Sequence, residues 1–238
     1  MTPSLTRPVA LVTGASAGLG LALAHGLAER GWTLIIDARG ADALKTAADA
    51  LAAKTDVVPL AGDVTDPEHR ADLAAAVGEL GRLDLLVNNA SYLGPSPLQP
   101  LAAADLTELR RVYEVDVIAP IALTQVLLPE LADAAGLVVN ISSDAAVEAY
   151  ESWGGYGSAK AALDHATRVL AAEHPELGVY AVDPGDLRTA MHQAAFPGED
   201  ISDRPEPATV VPAFLRLLDN RPASGRYRAA DFATAVTP

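Results

Sequence analysis

The sequence predicts an α/β protein whose parallel sheet is covered by helices on both faces. Two observations carry this. Six short runs are almost continuously apolar rather than alternating, the pattern of strands buried on both sides. Longer Ala/Leu-rich segments with helical spacing separate them, and strands joined through helices make crossovers, hence parallel pairing.

The elements follow in order. "VALVTG" from Val9 is the first strand, and it runs through a glycine-rich turn into a helical pattern from Gly18 to Arg30. "TLIID" from Thr33 is the second strand, followed by the helix Asp42 to Lys54; "DVVPLAGD" is the third, followed by Asp66 to Glu79. "LDLLVNNA" precedes a Pro-rich loop, "LGPSPLQP", and a long helical pattern from Leu101 to Pro129 with a break expected near Pro120. "GLVVNISS" leads to the helix Tyr156 to His174, and "GVYAVDPG" to a Pro/Gly/acid-rich stretch from Phe196 to Pro207. Ligands of open α/β sheets bind beyond the strand ends, so residues 91–100 and 186–207 are the expected substrate loops. Tyr150 and Trp153 offer an aromatic wall, although exposed loop residues would read the same way.

At 238 residues, half of them apolar, the chain suits one large domain over residues 1–238 better than two small ones. Seventeen basic against 31 acidic residues leave a net charge of −14, which repels nucleic acid and anionic membrane surfaces. The absence of cysteine excludes disulfides, thiolate catalysis and Cys-ligated metal. The start "MTPSLTRPVALVTG" lacks a signal-peptide pattern, and no apolar run approaches membrane-spanning length, so a soluble cytoplasmic protein is expected.

Two motifs carry chemistry. In "TGASAGLG", Gly14, Gly18 and Gly20 let the backbone turn tightly and approach a pyrophosphate at a helix start, where N–H groups favour negative charge. An ordinary turn is the alternative. In "YGSAK", Tyr156 and Lys160 stand one helical turn apart, and an ammonium near a phenol stabilises the phenolate, making the tyrosine a proton donor or acceptor. A solvated helix face would show the same spacing. Ser143, at the end of a strand pattern, reads alone as a turn former or cap.

Taken in order, "TGASAGLG", "DV" at Asp63 and Val64, "NNA" at Asn88 to Ala90, Ser143, the Tyr156/Lys160 pair and "PGDLRT" from Pro184 resemble the short-chain dehydrogenase/reductase family, classical type, from Val9 to about Gly225. The resemblance implies a single-domain, Rossmann-type, doubly wound sheet of about seven strands. It implies hydride transfer between NADP(H), with NAD as the alternative, and a small organic carbonyl or alcohol. Tyr156 would pass the proton, Ser143 would hydrogen-bond the substrate oxygen, and Lys160 would act on the phenol and hold the cofactor ribose. The cofactor positions it implies are Gly14, Ser16, Gly18, Leu19, Gly20, Arg39, Asp63, Val64, Asn89, Ala90, Pro184, Gly185, Leu187 and Thr189, with Tyr156 and Lys160. No metal is expected. The family pairs subunits through the Leu101–Pro129 and Tyr156–His174 helices, so a homodimer or homotetramer is expected. A protein of this fold that binds a dinucleotide without catalysis is the competing function.

The sequence departs from the family at informative places. Ser91 follows Asn-Asn-Ala where glycine is usual, which is tolerable if its φ is not positive. The end "SGRYRAADFATAVTP" lacks the paired glycines usual after the last strand. Asp116 fills the position of a fourth catalytic residue, normally asparagine. Either it takes over the asparagine's shaping role, or its carboxylate weakens the effect of Lys160 and raises the tyrosine pKa. In "TLIIDARG", the slot for an acid that binds the ribose falls on Ala38, so alternation turns Asp37 to the other face. Arg39 then stands where a guanidinium grips a 2′-phosphate, which favours NADP, although Ala17 occupies a place where many NADP users carry a second base.

Overall fold

The computed structural model describes residues 7–233. Strands β1 (Val9–Val12), β2 (Thr33–Ala38), β3 (Val57–Ala61), β4 (Leu85–Asn88), β5 (Leu137–Ile141), β6 (Gly178–Asp183) and β7 (Gly225–Arg228) form one sheet in the order β3-β2-β1-β4-β5-β6-β7. Every pairing is parallel. Helices α1 (Gly18–Glu29), α2 (Ala41–Ala52), α3 (Pro67–Leu80), α4 (Leu106–Tyr113), α5 (Ala119–Asp133), α6 (Gly154–Glu173), α7 (Ala190–Ala195) and α8 (Val211–Asn220) supply the crossovers and covers.

The continuous apolar runs become strands because both faces are buried. Alternate residues divide between two cores: Val12, Ile36, Val87 and Val182 pack on Leu23 and Leu27 of α1 and Phe214 and Leu217 of α8. Strand residues facing the other way, Leu11, Ile35, Leu86 and Val179, pack on Leu73 and Val77 of α3 and on Leu123, Leu127 and Leu131 of α5. Each fully buried Leu or Ile contributes roughly 1.5–3 kcal/mol of transfer free energy, so both layers are needed to hold the sheet.

Three expectations change, and the seventh strand, expected only from the resemblance, is located. β3 is an edge strand, only partly buried, which is how Pro59 sits in it without costing an inner ladder bond. β7, "GRYR", is a short, partly exposed edge with no apolar run to mark it. The long helix does not break at Pro120; it runs on through a π-helical turn, Glu114–Ile118, that absorbs the proline's missing donor, and Ala119 N–H bonds the Glu114 carbonyl instead. The resulting helix, 106–133, is by length and composition long and apolar enough to cross a membrane, contrary to the expectation, but half of its most apolar window is buried inside the protein. α7 and α8 are additions to the sequence reading, and residues 234–238 of the unusual C-terminal stretch lie outside the described residues.

The chain lays β1, β2 and β3 outward on one side, then returns to place β4 on the other side of β1. That reversal opens a crevice over the C-terminal strand ends between β1 and β4.

Candidate active site

A cleft of about 460 Å³ runs along this edge of the sheet. The segments leaving β1 to β6 line it in turn, represented by Gly14, Arg39, Asp63, Ala90, Ser143 and Pro184. Ser16, Gly18, Leu19, Val64, Asn89, Tyr156, Lys160, Gly185, Leu187 and Thr189 line it too, whereas Gly20 and Asp116 do not.

Gly14 and Gly20 explain the tight loop after β1. A Cβ on Gly14 would lie 2.9 Å from the Ala90 Cα, and one on Gly20 would lie 2.5 Å from the Gly14 carbonyl oxygen. Asn89 locks the loop, its side-chain amide donating to the carbonyls of Thr13 (2.8 Å) and Gly14 (3.2 Å). Helix α1 then starts with no side-chain cap and no acid in its first turn, leaving its N–H groups and positive dipole end for an anion. This cradle fits the pyrophosphate of a dinucleotide.

Asp37 is 1% exposed and fully engaged: it accepts from Gly14 N–H at 2.9 Å and faces His69 Nε2 of α3 at 3.0 Å. The hydrogen bond that His69 donates to the Asp37 carboxylate holds the imidazole above its ordinary range. Asp37 therefore braces the loop from the α3 side of the sheet, while Arg39, two residues on, is exposed at the cleft wall. Burial pushes Asp63 up, but hydrogen bonds from Thr65 and the charges of Arg39 and Arg111 outweigh it and hold its carboxyl below the usual range. Arg39 and Arg111 thus place positive charge at this end of the cleft.

The other end is built on α6. Its first turns press against the Asp144–Ala146 turn so closely that a Cβ on Gly157 would lie 2.5 Å from the Ala145 carbonyl, which sets Tyr156 beside the Ser143 segment. Ser143 is also the cap its bland reading suggested, accepting from Ala145 N–H at 3.2 Å while its hydroxyl donates to Asp144 Oδ1 at 3.1 Å. Lys160 is 2% exposed; its Nζ lies 5.3 Å from the Tyr156 ring centroid, donates to the Ile141 carbonyl at 2.9 Å and pairs with Asp116 Oδ1 at 3.0 Å. Asp116 is fully buried behind them, turned inward by the π-helical turn. Burial opposes the lysine charge, but Asp116 outweighs it and keeps Lys160 protonated well above neutrality. Burial is also the main force on Tyr156: it pushes the phenol up, Lys160 pulls it down, and Asp116 pushes it up again, so the net direction is upward. The lysine's pull is present as the sequence implied, but it does not prevail over burial.

Sequence reading passed over several residues. Ser91 was noted only as a departure; its φ is not positive, and its hydroxyl donates to Asp116 through a short hydrogen bond. Arg226 of β7 donates to the Ser143 carbonyl at 2.9 Å and pairs with Asp164 (2.8 Å) and Asp183 (3.4 Å), bracing the serine's backbone. Its only sequence signal was a basic residue in an unread strand. Trp153 lines the cleft edge-on to Tyr156, with ring centroids 6.0 Å apart, whereas Tyr150 is exposed and bonds Asp144. His192 of α7 also faces the cleft, its Nε2 buried without a hydrogen-bond partner among the described residues.

Comparison with known proteins agrees with this architecture. Residues 8–200 match the family model described as short chain dehydrogenase. Sepiapterin reductase of Xenopus tropicalis is 34% identical over 94% of this chain and 87% of its own. The Escherichia coli K12 oxidoreductase YciK is 34% identical over 93% of this chain and 90% of its own. Among solved structures, a short chain dehydrogenase from Shigella flexneri, complexed with NADP, superposes with a TM-score of 0.88 at 31% identity, covering 95% of this chain and 98% of that one.

Proposed function

This chain belongs to the short chain dehydrogenase family, and from that premise we propose that it is an NADP(H)-dependent reductase of small organic carbonyl compounds. The observation that carries the reading is one cleft with the uncapped glycine loop and Arg39 at one end and Ser143, Tyr156 and Lys160 at the other. NADP accompanies similar proteins of known structure, and this chain offers residues for it: the loop from Gly14 for the pyrophosphate, Arg39 for the 2′-phosphate, Asp63 and Val64 beside the adenine, and Lys160 for the nearer ribose.

When bound, the nicotinamide supplies the hydride. Tyr156 holds the proton at its hydroxyl oxygen and passes it to the substrate oxygen. Ser143 turns its hydroxyl from Asp144 to donate to that oxygen as negative charge develops on it. Lys160 keeps a positive charge under the phenol throughout. Burial and Asp116 push the Tyr156 phenol up, so it is protonated at neutral pH, the form that donates a proton to a carbonyl oxygen. Leu93, Trp153, Met191 and Ala195 present an apolar wall, which suits a mainly apolar substrate of modest size.

Outside the cleft, Leu106, Ile118, Val126 and Val169 stand exposed on α4, the π-helical turn, α5 and α6, the helices expected to pair subunits. Burying that apolar surface against a second copy supports a homodimer or homotetramer. The cysteine-free, acidic chain suits a soluble cytoplasmic enzyme that binds neither nucleic acid nor membrane.

The test is Tyr156→Phe, assayed by NADPH oxidation against a panel of aldehydes and ketones. Turnover should fall by ~10²–10⁴-fold while NADPH binding, read by fluorescence, stays unchanged. A variant that turns over at a comparable rate would remove Tyr156 from the mechanism.

A further inference from the structure

The last strand reaches the active site through one side chain. In β7, Tyr227 packs with the core on the α1 and α8 side, so alternation turns Arg226 to the α6 face of the sheet. There its guanidinium meets three elements at once. Nε donates to Asp164 Oδ2 of α6 at 2.8 Å, and Nη2 is shared between the Ser143 carbonyl beyond β5, at 2.9 Å, and Asp183 Oδ2 at the end of β6, at 3.4 Å. Asp164 lies one helical turn past Lys160 and two past Tyr156. Its Oδ1 is buried without a hydrogen-bond partner, so among the described residues Arg226 is the one donor that answers this carboxylate. Asp183 gives its other oxygen to Gly185 N–H at 2.9 Å.

We propose that Arg226 is a positioning residue for the reaction: it holds Ser143 in register with the helix that carries Tyr156 and Lys160 and with the turn after β6, so that the serine and tyrosine hydroxyls face the same substrate oxygen. The sheet alone does not do this. Its ladder ends one residue earlier, where Ser142 N–H donates to the Val182 carbonyl at 2.8 Å. Beyond that point the hydrogen bonds of Ser143, other than the one from Arg226, go to its sequence neighbours between Ser142 and Ala146. A turn bonded only to itself moves as a unit, and Arg226 is what ties it to other elements. The task needs a guanidinium, whose planar fork aims separate N–H groups in fixed directions, whereas a lysine ammonium is a point charge on a flexible stem. Placement matters because a shift of about 1 Å in a reacting group can cost on the order of a hundredfold in rate.

This inference rests on Ser143 donating to the substrate oxygen, and its test separates the two. Arg226→Lys keeps a positive charge beside the buried acids Asp164 and Asp183, so the fold is retained while the fork is lost. Asp164→Asn, which loosens one anchor of the guanidinium and leaves the others, is the second variant. Each is made in the wild-type and Ser143→Ala backgrounds. Three quantities are read: kcat for reduction of an aldehyde or ketone by NADPH, the NADPH dissociation constant by fluorescence, and amide hydrogen exchange in residues 143–146. Arg226→Lys should lower kcat by about ten- to a hundredfold in the wild-type background, leave the dissociation constant unchanged, and cost almost nothing further once Ser143 is alanine. Asp164→Asn should show the same pattern at smaller size, and exchange at Ala145 and Ala146 should quicken in both variants. Loss of the serine's dependence is the signature, since a merely structural arginine lowers kcat by the same factor in both backgrounds. Equal factors in the two backgrounds, an undiminished kcat in both variants, or unchanged exchange overturn the proposal and leave the reductase reading intact; undiminished turnover in Ser143→Ala alone overturns the role given to Ser143 instead.

Discussion

Arg39→Ala tests which residue of "TLIIDARG" selects the cofactor. Asp37 cannot serve a ribose without abandoning two partners, the partly buried Gly14 N–H at 2.9 Å and the buried His69 Nε2 at 3.0 Å. Arg39 is exposed at the cleft wall, free to close on a 2′-phosphate. A hydrogen bond to a charged group is worth about 1.5–3 kcal/mol, and exposure to solvent argues for the lower end. At about 1.4 kcal/mol per factor of ten, the Michaelis constant for NADPH should rise at least about tenfold, with that for NADH almost unchanged. Initial rates with both cofactors at saturating substrate give the comparison. Asp37→Ala is the control: it leaves the partly buried Gly14 N–H and the buried His69 without their acceptor, costing about 1–3 kcal/mol, which for a chain of this size lowers Tm by roughly 2–12 °C. Both cofactors should weaken together in that variant, because the loop that holds their common pyrophosphate loosens. The reasoning is refuted if the wild type prefers NADH, or if Arg39→Ala weakens both cofactors equally.

Asp116→Asn should move the basic limb of the reduction profile to lower pH. In the proposed mechanism reduction uses protonated Tyr156, so activity should be lost as pH rises through the phenol's titration, and removing the Asp116 charge removes one of the causes that push it up; superimposable profiles would refute this electrostatic role. In sedimentation equilibrium at micromolar concentration the protein should have the mass of two or four chains, through the surface that carries Ile118, Val126 and Val169; a single-chain mass would leave that surface unexplained.

The strands and most helices were legible because their cause is local: a segment buried on both faces must be apolar throughout, and "VALV" or "LVVN" says so without its neighbours. β7 was illegible because its place at the sheet edge asks for no such run. The expected break at Pro120 failed for a related reason, since the motif shows a missing donor but not the π-helical turn that accommodates it. Within the cleft, motifs located the lining residues because each follows a strand end that the sheet order brings to the same edge. The contacts behind the lining were hidden. Ser91 and Asp116 lie 25 residues apart and Asp37 and His69 lie 32 apart, each pair joined only by the register of different elements. The sequence marked Ser91 and Asp116 as two separate anomalies; only packing makes them one.

Asp37, Asp116, Asp164 and Asp183 have a common logic. All four are nearly or fully buried in a chain whose net charge is −14, and each has a partner: His69 with Gly14 N–H for the first, Lys160 with Ser91 for the second, Arg226 for the other two. A buried carboxylate without such partners costs several kcal/mol, so these acids persist only where they fix something. Asp37 fixes the backbone proposed to hold the cofactor's phosphates, Asp116 fixes the lysine and serine near Tyr156, and Asp164 and Asp183 fix the arginine that holds the Ser143 carbonyl. The acidity of the whole chain repels a polyphosphate ligand at long range, so attraction must come from groups placed at contact distance. That is why the positive end of α1 carries no acid in its first turn, and why Arg39 stands at the cleft wall while its acidic neighbour is turned inward and occupied.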